Sequence, residues 1–270
     1  MKDSGNFNIY TSPNLTVMTK AKVASRTVKT YLDNDNQNCS VMIKDGKFFE
    51  TDGPYGMNYV KELQKEGNKK EILLLYRNPQ KRFISGVVQD VIRSLSVDDF
   101  CNYFWMSSYQ REYNFDLKKL QKYILDENFN ELLNDTEFSD LVILFITDWF
   151  EIQQKQVIKN LSNHIEPYLY HYDEIISKEL FDLSKISLVN IDKEKNDLHS
   201  IFAKYGVKLD ESLTQEKKLQ IFQSHRSWYT TILKIVEADV FFKDTMTLYT
   251  ESDFYFYDKF EKSKLNILNK

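Results

Sequence analysis

Apolar runs and helical periodicities alternate along the chain. The segment "NLTVM" (14–18) is apolar and β-prone, and Val28, Tyr31 and Leu32 beyond it fall at helical spacing, so a strand passes into a helix near residue 25. A second, short strand is predicted at "SVMI" (40–43), followed by the turn-rich "KDGKFFETDGPYG" (44–56) and a helix near 56–66 that "EGNKK" closes. "EILLLY" (71–76) is a continuous apolar run, the pattern of a strand buried on both faces of a parallel sheet. It leads into "RNPQKRFISGVVQDVIRSL", where Asn78 can cap a helix and Pro79 can occupy its first turn. Strand, loop and helix therefore occur twice. Residues 97–162 read as mostly helical, with "LVILFI" (141–146) carried to helix by its continuation. A third strand is predicted at "PYLYHY" (167–172), ending at "DEI". Helices are expected at 195–206 and 213–240, and the aromatic tail "LYTESDFYFYDKF" (248–260) is expected to pack on the body.

Composition narrows this picture. Seven glycines and four prolines in 270 residues are far below the usual share of about 12% for the two together, so helices should dominate. With 14% aromatic residues the chain is expected to fold, and its length suits one domain over 1–270 with a core at about 15–260. The net charge of −4 gives no global attraction to nucleic acid or to an anionic membrane, so any anion site must be local. Cys39 and Cys101 are too few for a disulfide framework, and with the four histidines they show no metal-ligand spacing. No apolar leader or eighteen-residue apolar window is present, which predicts a cytoplasmic protein without membrane insertion.

The two strand-to-helix junctions carry the candidate chemistry. "TKAKVASRTVKT" (19–30) sets Lys20, Lys22, Ser25, Arg26 and Thr27 where ordinary capping prefers acidic residues, and Arg77, Lys81 and Arg82 crowd the second junction. Anions bind in α/β folds at the carboxyl ends of parallel strands, where loops open into helix N-termini. A ligand touching both junctions should hold at least two anionic groups. The first loop contains no glycine and is not a Walker A loop, which argues against an ordinary ATPase.

These residues match a known pattern. "AKVASRTVK" resembles the 5′-phosphosulfate loop of sulfotransferases that use 3′-phosphoadenosine 5′-phosphosulfate (PAPS), especially the "PKVACT-S-WK" form of the carbohydrate enzymes. "LLLYRNPQKRFISGV" resembles their 3′-phosphate segment, "VRDPxxRFxSAY". "NHIEP" is similar to an "HWxP" element, "YHYDEI" to a "YEDL" strand end, and the aromatic tail to a C-terminal "Y-x-x-DF-x-x-F-x-Y". The resemblance implies an α/β, P-loop-like three-layer fold with a central parallel sheet flanked by many helices. It further implies transfer of a sulfuryl group from PAPS to an acceptor hydroxyl, on a carbohydrate, with release of adenosine 3′,5′-bisphosphate (PAP) and no metal. Lys22 looks like the lysine that stabilises charge on the leaving oxygen. Val23, Ala24, Ser25, Arg26 and Thr27 look like the phosphosulfate cradle, although Arg26 stands where the family carries a small hydroxyl residue. Arg77 and Ser85 look like the pair that grips the 3′-phosphate.

A neutral alcohol also needs a base. "KDGKFFETDG" resembles the "E-x-HFFD" stretch of heparan sulfate 3-O-sulfotransferases, which puts Asp45 in that role, with Glu50, Asp52 and, if "NHIEP" lines the cleft, His164 as alternatives. Two other readings remain open at this stage. One is a non-catalytic nucleotide-binding or interaction protein on the same scaffold, and the other a P-loop-like kinase, which the missing GK[ST] opposes.

Overall fold

The computed structural model describes residues 6–20, 22–32, 39–50, 55–65, 67–95, 135–137, 140, 143–144, 165–193, 198–207, 233–234 and 237–265. The chain divides into two compact units, one of residues 3–82, 166–215 and 249–270 and the other of 1–2, 83–165 and 216–248. The described strands, six in number, lie in the first unit: β1 Asn6–Thr11, β2 Leu15–Thr19, β3 Cys39–Lys44, β4 Lys47–Glu50, β5 Glu71–Tyr76 and β6 Ile186–Asn190. The described helices are α1 Ser25–Leu32, α2 Tyr55–Leu63, α3 Pro79–Leu95, α4 Leu169–Ser177, α5 Leu198–Lys204 and α6 Val240–Glu261. In the second unit, Phe83 and Phe242 meet edge to face at 6.2 Å.

The architecture is α/β, with a mixed open sheet in the order β4-β3-β1-β2-β5-β6. β2, β5 and β6 are parallel, and their registers (Met18 opposite Leu74, Tyr76 opposite Asn190) bring the carboxyl ends of all three to one level. The expected central parallel sheet is thus only half of it, because β1, β3 and β4 extend it in antiparallel fashion. The N-terminal "NFNIYT" becomes β1 through its alternation, with Phe7 and Ile9 fully buried. β5 is buried from Ile72 to Tyr76, as a strand covered on both faces must be. The core gathers Phe7, Val17, Leu73, Leu74, Leu188 and Phe202 around this sheet.

One predicted strand is a helix. "PYLYHY" opens α4, whose buried face carries Leu169, His171, Tyr172 and Ile175. The cause lies far away in sequence: Asp253 Oδ1 accepts from the Tyr168 and Leu169 N–H groups, each at 2.9 Å, and so caps the helix from α6. The third parallel strand is instead "ISLVN" in β6, buried throughout. The helical assignment for 97–162, nearly all of "LVILFI", and most of 213–240 fall outside the described residues.

Candidate functional site

The loop between β2 and α1 is held in an unusual backbone. Lys22 and Ala24 adopt φ of 66° and 56°, a left-handed conformation that L residues avoid at a cost of about 1–2 kcal/mol each. Between them Val23 is fully buried and pins the loop to the core. Its N–H donates to the Lys20 carbonyl at 3.1 Å, and the Thr19 hydroxyl donates to the Val23 carbonyl. The Val23 N–H is spent on this internal bond, so the N–H groups offered to an anion are those that open α1, whose first turn has no intrahelical acceptor. α1 begins directly after the loop with Ser25 and Thr27, of which Thr27 is exposed.

The loop after β5 is short. Asn78 caps α3 by accepting from the Lys81 N–H at 3.2 Å, with Pro79 in the first turn. Arg77, partly exposed, extends toward the neighbouring loop and places Nη1 3.5 Å from the Lys22 carbonyl. Adjacent parallel strands about 4.8 Å apart make this meeting possible. The Arg77 N–H donates to the Tyr168 hydroxyl at 3.2 Å. A third loop, after β6, completes the corner: Asp192 Oδ1 accepts from Arg77 Nε at 3.1 Å, and Oδ2 accepts from the Asn78 N–H at 2.7 Å.

Beneath the first loop lies a buried charged cluster. Lys20 is 1% exposed and pairs with Glu166 at 3.3 Å. Arg82, also buried, donates to the Glu166 carbonyl at 2.6 Å and stacks over the Tyr168 ring at 4.6 Å. Burial lowers the Lys20 pKa from 10.5 to about 8, with Glu166 opposing the shift. Burial likewise lowers that of Arg82, and it pushes the Asp253 carboxyl up against the pull of the Arg82 guanidinium. Two cations and two carboxylates thus neutralise one another inside the fold. His171 packs edge to face on Phe7 at 5.4 Å, and among the described residues neither ring nitrogen has a hydrogen-bond partner, Glu174 standing 3.7 Å from Nδ1. Burial and then the Lys20 charge hold its pKa at about 3, so it is neutral at pH 7.

The residues expected at the site are distributed as follows. Lys22, Val23, Ala24, Ser25, Thr27 and Arg77 converge at the β2 and β5 ends, and the backbone of Arg26 lies in the first turn of α1. Ser85 is buried in α3 and belongs to the other compact unit. Asp45 forms with Gly46 the turn of the β3–β4 hairpin, at φ of 52° and 71°, and β1 stands between that hairpin and β2. This is the left-handed pair of an Asp-Gly turn, which by itself accounts for an aspartate at this position. Glu50 ends β4, while Asp52 and His164 lie outside the described residues. Lys20 and Arg82, expected among the basic residues facing an anion, are instead buried and tied to Glu166, and Asp192 and Glu166 have no role in the sequence reading. The signal that could have found Asp192 is its place two residues beyond the apolar run "ISLVN", with Ile191 between.

Among the described residues no group of His, Cys, Asp or Glu is placed to hold a metal ion, and no helix is long and apolar enough to cross a membrane. Comparison with protein-family models, with curated proteins and with solved structures finds no match to this chain.

Proposed function

We propose that the chain is a sulfotransferase that moves a sulfuryl group from PAPS to an acceptor hydroxyl, on a carbohydrate, and releases PAP. The observation that carries this reading is the approach of Arg77 to the Lys22 loop, 3.5 Å from guanidinium to carbonyl, at the ends of neighbouring parallel strands. A cation on each of two helix-opening loops suits an anionic ligand that touches both. On this reading the sheet with α1 and α3 is the core of a P-loop-like three-layer fold.

The residues then divide the work. The N–H groups that open α1, at 24–27, cradle the phosphosulfate, and Arg77 grips the 3′-phosphate, fixing the sulfur for in-line attack. The acceptor oxygen forms its bond to sulfur as the bond to the bridging oxygen breaks. The acceptor proton passes to a base, and Lys22 stabilises the charge gathering on the departing oxygen. Asp45, Glu50, Asp52 and His164 stay nominees for the base, and the hairpin-turn role of Asp45 favours the others. That role also lends weight to a second reading, a protein that binds the nucleotide without transferring sulfate.

Calorimetry with PAP tests the proposal. The expected result is stoichiometric binding without Mg²⁺, weakened by about 1.5–3 kcal/mol in Arg77→Ala as a charged hydrogen bond is lost. A folded sample that takes up no PAP would refute it. Binding of PAP with no label transferred from PAPS to any carbohydrate would select the second reading.

A further inference from the structure

We infer that Asp192 is the positioning residue of the anion corner: it holds the Arg77 guanidinium in the orientation that receives the 3′-phosphate. This rests on the proposed reading that Arg77 grips that phosphate.

The carboxylate makes two bonds in different directions, to Arg77 Nε at 3.1 Å and to the Asn78 N–H at 2.7 Å. One side chain therefore fixes both the arginine and the start of α3. Engagement through Nε pins the guanidinium plane at its inner edge and directs Nη1 toward the Lys22 carbonyl.

Asp192 is itself fixed. Its N–H donates to Asn190 Oδ1 at 3.0 Å, and the preceding Ile191 N–H donates to the Tyr76 carbonyl at 2.9 Å. Asn190 Nδ2 in turn donates to Glu261 Oε1 at 2.8 Å and to the Tyr257 hydroxyl at 3.0 Å, and Lys193 pairs with Glu261. A carboxylate whose own and preceding backbone N–H groups are both tied, beside an anchored Asn190 side chain, is built to stay. It does not behave as an ion substitute that swings away when phosphate arrives.

The sign of its effect makes the inference testable. A negative charge beside an anion site, acting only by charge, weakens anion binding, so removing it should tighten PAP. A positioning carboxylate does the reverse, because the arginine loses its orientation. Asp192→Asn keeps an acceptor for the Asn78 N–H and removes the charge that fixes Arg77.

The experiment is calorimetry of PAP and of adenosine 5′-monophosphate on the wild-type chain, Asp192→Asn, Arg77→Ala and the double variant, with thermal melts of each. The expected result is PAP binding about tenfold weaker in Asp192→Asn. Affinity for the monophosphate, which lacks the 3′ group, should stay within about twofold, and the PAP effect should vanish in the Arg77→Ala background. Unchanged or tighter PAP binding, or equal losses for both nucleotides, would overturn the assignment of Asp192 while leaving the nucleotide site standing. No PAP binding by the wild-type chain would overturn both.

Discussion

Glu166→Gln isolates the buried ion pair beneath the loop. The substitution keeps the shape of the side chain and leaves Lys20, 1% exposed and 3.3 Å away, without its carboxylate. The loss is capped, because a buried lysine deprived of its partner can release its proton, as buried lysines with pKa values of about 5–6 do. With the wild-type Lys20 pKa at about 8, escape at pH 7 costs one unit, or about 1.4 kcal/mol, and at pH 6 about 2.7 kcal/mol. Over pH 6–9, where the carboxylate is ionised, the contribution of the pair is largest at the acid end and is lost as pH rises through the folded pKa of Lys20. Urea unfolding followed by far-UV circular dichroism at pH 6, 7 and 9 should therefore find a penalty that shrinks with pH and falls below about 0.5 kcal/mol at pH 9. In a Lys20→Met background the pH dependence of Glu166→Gln over this window should disappear. A penalty that is flat or grows between pH 6 and 9 would refute the idea that a charged Lys20 is held by Glu166.

Other expectations follow from single contacts. Asp253→Ala removes the cap of α4 and the carboxylate that balances Arg82, and should cost about 3–5 kcal/mol in urea unfolding, with Asp253→Asn recovering part of it. Tyr172→Phe deletes a hydroxyl 3.0 Å from both the Met18 and Leu75 carbonyls; the loss should be about 1 kcal/mol, read from the denaturation midpoint. Gly46→Ala places a side chain at φ of 71° against Lys178, and because that lysine can move aside, the backbone term of about 1–2 kcal/mol should dominate the melting shift. Leu74→Ala empties a fully buried position in β5 and should cost about 2–5 kcal/mol by the same measurement.

What the chain announces in advance is what local pattern controls. β5 is legible because a strand covered on both faces must be apolar at every position, and the start of α3 because Asn78 and Pro79 act within one turn. α4 is not, because its cap comes from Asp253, 85 residues away, and its aromatic alternation imitates a strand. β1 hides behind two asparagines, and only its pairing with β2 and β3 reveals the strand. At the site, Lys22 and Arg77 stand out as cations where capping would favour acids. Asp192 does not, since its partnership with Arg77 exists only once β6 is known to lie beside β5. Glu166 is hard to single out beside the histidine of "NHIEP", yet its carboxylate meets the end of β2 through Lys20.

The most direct test of the central claim is a crystal structure of the chain with PAP. The account predicts one nucleotide spanning the β2 and β5 loops, its 5′-phosphate against Lys22 and the N–H groups of 24–27 and its 3′-phosphate on Arg77. A nucleotide bound elsewhere, or one whose phosphates touch neither Lys22 nor Arg77, would contradict it.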